Sequence, residues 1–188
     1  MKIDGVSIRV GNILNYEGKL WAVTKTMHTQ PGKGGAYMQV EMKDIQSGTK
    51  KNVRFRSDET VERVSLEEHQ AQFLYADGDI LHFMDNSSYE QLEVKKDLMD
   101  EIQAKFLFEG TGVTLEMHDG NVLNIKLPDK MELEVESCDV AIKNQTAASS
   151  YKPAILSNGV KIQVPPFIES GDRIIVKVES LEYVERAK

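Results

Sequence analysis

The sequence predicts an all-β protein made of three small barrels in series. Short runs of alternating apolar and polar residues recur along the chain, and turn signals separate them about every ten residues. No linker between the predicted domains is rich in glycine or serine, so we expect short joints between compact domains. The predicted domains span residues 1–64, 65–127 and 128–188.

The first predicted domain contains only strand patterns. Its alternating runs cover residues 8–10, 20–23, 37–42 and 52–56. Turn signals lie between them at Gly11-Asn12 and Gln46-Ser47-Gly48. Short strands at this spacing are typical of an SH3-like barrel.

The second predicted domain has strand patterns on both sides of one helical pattern. Alternating runs cover residues 80–84, 113–117 and 122–125. Apolar residues between them recur at helical spacing: Leu92, Leu98, Met99, Ile102 and Phe106. The spacing predicts a short amphipathic helix over residues 93–106. A five-stranded barrel with one helix between its strands is the OB arrangement.

The third predicted domain repeats this pattern without the helix. Alternating runs cover residues 131–135 and 160–164, and the run 174–178 is the predicted final strand. Residues 143–152 are polar and small, which predicts a loop. The third domain is therefore a second predicted OB-type barrel.

Composition excludes several classes of protein. Cys138 is the only cysteine, so no intramolecular disulfide can form, which suits a reducing cytosol. No run approaches the roughly 20 apolar residues of a membrane helix, and residues 1–10 have no apolar signal core. The four histidines show no metal-ligand spacing. We expect a cytoplasmic protein without a membrane anchor, a bound metal or a cofactor.

Charge is distributed unevenly along the chain. Residues 1–63 hold 11 Lys and Arg against 7 Asp and Glu, a net charge of +4. Residues 64–126 hold 4 against 13, a net −9, and residues 127–188 hold 8 against 10, a net −2. A basic first third on an acidic body suggests that the first third meets phosphate, although +4 is also within ordinary scatter.

The most unusual segment is a glycine-rich loop with one lysine at its centre. Pro31 restricts the backbone, and Gly32, Gly34 and Gly35 then surround Lys33. The segment lies between two strand patterns, which predicts an extended hairpin tip with an exposed amine. The residues alone leave two interpretations open: a flexible basic turn, or a slim stalk that presents a modifiable ammonium.

This loop does not match a phosphate-binding loop. A Walker A loop has a glycine where this chain has Met27, and serine or threonine where it has Gly34. A helix should follow, whereas the residues from Tyr37 alternate as a strand. We therefore exclude nucleotide hydrolysis.

The chain resembles the bacterial elongation factor P family from end to end. The loop matches the family's Pro-Gly-Lys-Gly signature, and residues 74–85 are similar to its second-domain motif. The C-terminal third fits the family pattern at several positions: Lys152-Pro153-Ala154, Leu156, Gly159, Val164-Pro165, Phe167-Ile168, Gly171-Asp172, Tyr183 and Arg186. Matches in all three thirds, in the same order, make a chance resemblance very improbable.

The resemblance implies a fold and a function. The fold would be an SH3-like (KOW-type) barrel followed by two OB-type β-barrels in an L-shaped, tRNA-mimicking arrangement. The protein would be a non-enzymatic monomer that binds the 70S ribosome between the peptidyl and exit sites. Lys33 would position the acceptor end of peptidyl-tRNA and promote peptide bond formation at consecutive prolines. A lysine-modifying enzyme would be a further partner, with a β-lysyl type of group on Lys33.

Three further residues are possible RNA contacts. Arg54 and Arg56 share one face of a predicted strand. Thr146 is the one plausible match to the Asp-Thr pair of the family's third-domain loop, and the rest of that loop departs from the family pattern. Leu181 is another departure, because it stands where the family usually has glycine.

Two alternative functions remain to be separated from this one. A generic OB/SH3-type nucleic-acid-binding protein would usually carry aromatic platforms between basic residues, and the OB-like thirds are acidic. An enzyme that uses Lys33 as a nucleophile would need burial or a neighbouring cation to activate the amine. A glycine-flanked, exposed tip supplies neither.

Overall fold

A computed structural model describes residues 1–140 and 151–188 and confirms the nearly all-β fold. The chain divides into two compact units. Met1–Glu68 and Leu115–Asn124 form one, and His69–Thr114 and Ile125–Lys188 form the other. Among the described residues, no helix combines the length and the apolar character needed to cross a membrane.

The N-terminal part of the chain forms a six-stranded antiparallel sheet in the order β1-β6-β2-β3-β4-β5. Its strands are β1 (Lys2–Asp4), β2 (Ile13–Tyr16), β3 (Lys19–Thr29), β4 (Tyr37–Asp44), β5 (Lys50–Arg56) and β6 (Thr60–Val64). Alternate residues of β4 are buried because successive side chains of a strand point to opposite faces. The buried residues form one core: Ile8, Leu14, Trp21, Val23, Met38, Val40, Met42, Phe55 and Val61.

A 3₁₀ turn at Gly5–Ser7 packs against β5 at a point where only glycine fits. A Cβ atom on Gly5 would lie 2.3 Å from the carbonyl oxygen of Arg56, and the Gly5 amide already donates to Glu59 O at 2.7 Å. Neither group can move without shifting the backbone.

We expect Gly5→Ala to destabilise the fold by about 1–3 kcal/mol through this overlap. The measurement is urea unfolding of the full chain. Gly32→Ala is the matched control, because a Cβ at Gly32 meets nothing within 4 Å. Equal unfolding midpoints for the two variants would contradict the close packing at Gly5.

The central five-stranded sheet has the order β11-β10-β7-β8-β9. Its strands are β7 (Glu67–Asp77), β8 (Ile80–Asp85), β9 (Gln91–Lys95), β10 (Gly112–His118) and β11 (Asn121–Lys126). The turn between β7 and β8 places Tyr75 opposite His82, and the following rung pairs Phe73 with Phe83 because Leu74 is an extra, bulged residue. Strand β9 is one edge of the sheet.

The predicted helix over residues 93–106 is wrong in extent. Strand β9 runs to Lys95, a 3₁₀ turn covers Lys96–Leu98, and the only α-helix of this segment, α1, is the single turn Glu101–Ala104. The Asp100 side chain starts that turn by accepting a hydrogen bond from the Ile102 amide at 2.8 Å. The apolar spacing that predicted one helix therefore belongs to three elements in succession.

Asp85 holds the turn that follows β8. Its buried carboxylate accepts hydrogen bonds from the Ser87 hydroxyl, the Ser87 and Ser88 amides and the His69 ring. The Ser87 hydroxyl first, and then these other donors, keep the pKa of Asp85 well below its usual range. The residue therefore has a structural role in this turn.

The C-terminal strands form a closed barrel in the order β12-β13-β14-β16-β15. They are β12 (Lys130–Cys138), β13 (Lys152–Leu156), β14 (Lys161–Val164), β15 (Arg173–Lys177) and β16 (Glu182–Arg186). The predicted final strand is thus the penultimate one. Strand β16 was missed because its residues are mostly exposed and barely alternate in polarity.

Leu181, at the turn before β16, adopts a left-handed backbone conformation with φ +56°. A side chain in this conformation costs about 1–2 kcal/mol, which explains why glycine suits the position. Leu181 is also partly buried against the barrel core, so its packing offsets the strain.

We expect Leu181→Ala to be less stable than Leu181→Gly by about 1 kcal/mol, because alanine loses the packing and keeps the strain. Ordinarily the glycine variant would be the less stable of the two, because glycine gives the unfolded chain more conformational freedom. Thermal unfolding of both variants measures it. A more stable alanine variant would show that strain at residue 181 is negligible.

Candidate functional site

The Lys33 loop connects the two longest strands of the first sheet. Strands β3 and β4 pair up to the rung Thr29↔Tyr37, with one bulge at Thr24, and residues 30–36 join them. Ser57 fixes the far end of the loop by donating its amide to Ala36 O at 3.0 Å. The loop therefore projects from a two-stranded support that is anchored at its base.

Lys33 is exposed and has no partner among the residues that the structure describes. It makes no hydrogen bond or ion pair with any residue in the described part of the chain, and Gly32, Gly34 and Gly35 around it are exposed as well. The predicted exposure of this amine is what the structure shows. Within residues 1–140 and 151–188, nothing around Lys33 supplies the burial or the neighbouring cation that a nucleophilic lysine needs.

The glycines of this loop differ in whether their backbone conformation requires glycine. Gly34 has φ +122°, a conformation that other residues rarely adopt. Gly32 and Gly35 have ordinary φ values, and a Cβ on either would meet nothing within 4 Å. The free fold thus requires glycine only at position 34. Gly32 and Gly35 leave bare backbone on both sides of Lys33, which a partner can approach closely.

Arg54 and Arg56 lie on the exposed face of the edge strand β5, beside the base of the loop. The register pairs Arg56 with Tyr37 and Arg54 with Gln39. The Arg54 guanidinium lies 5.1 Å from the centre of the Tyr37 ring, a cation–π contact. Arg56 forms a 3.4 Å ion pair with Asp58. Both arginines are accessible, and their contact with RNA stays a prediction.

The remaining predicted residues are outside this loop or outside the described chain. Thr146 lies in 141–150, beyond the described residues, as does most of the predicted loop 143–152; Lys152 begins β13. Pro31 is partly exposed at the start of the lysine loop. Among the residues that the structure describes, no group of three or more His, Cys, Asp or Glu could hold a metal ion.

Sequence reasoning missed two clusters of aromatic side chains. The Lys51 ammonium pairs with Glu17 and lies 5.0 Å from the Tyr16 ring centre and 5.8 Å from that of Trp21, which is buried. The other cluster stacks Tyr75 on His82. The two-residue turn at Gly78-Asp79 could have revealed that pair, because it sets positions 75 and 82 opposite each other.

Three family models match consecutive parts of this chain. They are described as "Elongation factor P (EF-P) KOW-like domain" over residues 5–61, "Elongation factor P (EF-P) OB domain" over 66–125 and "Elongation factor P, C-terminal" over 131–186. The KOW-like and OB descriptions confirm the predicted barrel types of the first two domains.

Similar proteins cover the whole chain. Elongation factor P of Zymomonas mobilis subsp. mobilis is 56% identical over 187 residues, and that of Erythrobacter litoralis is 54% identical over 187 residues. Both alignments cover 100% of this chain and 100% of the relative.

A solved structure supports the fold. Eukaryotic translation initiation factor 5A from Methanococcus jannaschii superposes with a TM-score of 0.56 at 23% identity, over 68% of this chain and 92% of its own. The full-length relatives and the three family models together show that this chain belongs to the elongation factor P family of translation elongation factors.

Proposed function

We propose that this translation factor binds the 70S ribosome between the peptidyl and exit sites, as a monomer in the cytoplasm, and speeds peptide bond formation at consecutive prolines. The observation that carries the proposal is the exposed amine of Lys33 on a loop in which two of the three glycines, Gly32 and Gly35, are not needed by the fold. Such a loop suits entry into a narrow channel. Because the chain belongs to a family of translation factors, we place that channel in the ribosome.

Lys33 would act by holding the acceptor end of peptidyl-tRNA rather than by covalent chemistry. An ammonium offers a positive charge and three donors for phosphate or ribose oxygens. Arg54 and Arg56, beside the base of the loop, would contact phosphate and orient the first barrel. Thr146 would make a further RNA contact from the third domain.

Lys33 is also suited to covalent modification. Its ammonium is exposed, and the backbone on both sides is free of side chains, so a lysine-modifying enzyme can reach it. We propose a β-lysyl type of group, which would extend the reach of the side chain and keep its positive charge. Intact-mass and peptide mass spectrometry of protein from its native host would identify the group or show a bare lysine.

The proposed function is tested by reconstituted translation. Adding the natively produced protein should speed synthesis of a Pro-Pro-Pro peptide, because proline's ring limits the geometries in which its nitrogen can attack. A matched Phe-Phe-Phe template should respond little. An equal effect on both templates, or none on the proline template, would contradict the proposal. Tight binding to free single strands but not to 70S ribosomes would instead indicate a generic nucleic-acid-binding protein.

A further inference from the structure

The outer face of the central sheet carries a stacked pair of aromatic rings. Tyr75 of β7 and His82 of β8 have ring centroids 4.4 Å apart and planes inclined by 21°. His82 is only 7% exposed, whereas Tyr75 is 51% exposed. The tyrosine thus covers the histidine and presents a broad aromatic surface to solvent.

Gln91 of β9 holds both rings in place. Its side-chain nitrogen lies 2.9 Å from His82 Nδ1 and donates to the Tyr75 hydroxyl at 3.3 Å. A large exposed side chain normally loses rotamer freedom when it binds a partner. Here the ring is already oriented by two contacts, so most of that loss has occurred on folding.

The position of this pair in the domain matches a ligand-binding surface. Strands β8 and β9 are the second and third strands of the central OB domain. In OB folds the face formed by strands two and three binds oligonucleotides. The pair therefore lies where this kind of barrel meets single-stranded nucleic acid.

Local charge also differs from the charge of the domain. Residues 64–126 contain four lysines and thirteen acidic residues, and three of the lysines line one groove, Lys95, Lys96 and Lys105. Three acids of the same groove balance them, Asp79, Asp97 and Glu101. Lys95 follows Glu93 by two residues on β9, about 7 Å along the strand, and Glu93 is opposite His82. Of these lysines, Lys95 therefore lies on the same strand face as Glu93, close to the aromatic pair.

We propose that Tyr75 is a stacking platform for one unpaired RNA base, supported from below by His82. Glu93, whose side chain is exposed, accepts a hydrogen bond from an amino group of that base, and Lys95 contacts the neighbouring phosphate. The partner is therefore a single-stranded RNA segment with an amino-bearing base such as cytosine. This site goes beyond the proposed function and does not depend on Lys33.

The test is an NMR titration of the full chain with the RNA hexamers rC6 and rU6 at low salt. The dissociation constant is taken from the ring signals of Tyr75 and His82, so RNA bound elsewhere does not enter it. We expect these signals to shift and rC6 to bind more tightly than rU6. Tyr75→Phe should bind within about twofold of the original protein, since the stacking ring remains.

Tyr75→Leu keeps an apolar cover over His82 but removes the aromatic face, and it should weaken rC6 binding about tenfold in the His82 signals. Tyr89→Ala is the matched control, because Tyr89 is 75% exposed in the same domain and outside the stacked pair. Ring signals that do not shift, equal binding by Tyr75→Leu, or an equal loss in Tyr89→Ala would each overturn the site. If the RNA hexamers shift no ring signals and Tyr75→Leu nevertheless binds 70S ribosomes less well, this surface contacts a protein partner instead.

Discussion

Lys33→Ala is expected to remove most of the acceleration of consecutive-proline synthesis, a loss of at least about tenfold in the stimulated rate. Holding the reactants in a productive geometry lowers the entropic part of the barrier, and tenfold needs only about 1.4 kcal/mol. The substitution leaves the fold unchanged because Lys33 makes no hydrogen bond or ion pair within the described chain. Reconstituted Pro-Pro-Pro synthesis measures the loss, and urea unfolding checks the fold.

The matched control is Lys161→Ala, which removes an exposed lysine from strand β14 of the C-terminal barrel. It changes the net charge by the same amount and should keep full activity. If natively modified protein with Lys33→Ala equals the original protein, the positioning mechanism is wrong.

Lys33→Arg separates the roles of charge and of a lysine adduct. Arginine keeps a positive charge at the loop but presents a planar head and cannot receive a lysine-specific group. Partial activity would show that charge at the tip suffices. Loss as complete as in Lys33→Ala would show that the adduct is required. Both outcomes preserve the location of the site and differ in its chemistry.

The lysine loop could be located from the sequence because its signals are local. Alternating runs on both sides predicted β3 and β4, and Pro31 with three glycines predicted a turn between them. The sequence could not show that Gly34 alone needs its glycine for backbone conformation. That distinction depends on φ values and on which atoms lie nearby.

The errors arose where distant residues decide the structure. The apolar positions from Leu92 to Phe106 have helical spacing, yet Val94 is buried as part of a strand and Phe106 packs beyond the helical turn. Leu181 stands where the family usually has glycine, and its left-handed backbone adds strain that no sequence pattern displays. Arg54 and Arg56 were correctly assigned to one face of a strand, because strand periodicity alone determines which residues share a face. The structure adds that this face is exposed.

Phe106→Ala is expected to lower the free energy of unfolding by about 3–5 kcal/mol, more than Gly5→Ala or either Leu181 variant. Phe106 is fully buried, and it lies in the core of the closed C-terminal barrel together with residues such as Leu133 and Leu156. It comes from the segment after α1, outside strands β12–β16. Its ring therefore completes a core that the barrel strands do not fill by themselves, and alanine would leave a cavity.

The location of the damage distinguishes this interpretation from general unfolding. Hydrogen exchange should speed up in strands β12–β16 of Phe106→Ala and remain slow in β3 and β4, because the first sheet has a separate core. Phe106→Leu should recover much of the stability, since leucine refills part of the volume. Phe108→Ala is the control for removing a phenylalanine from this segment, as Phe108 is 41% exposed and should cost about 1 kcal/mol or less. If Phe106→Ala unfolds at the same urea concentration as Phe108→Ala, Phe106 does not support the barrel, and the strands β12–β16 hold their core unaided.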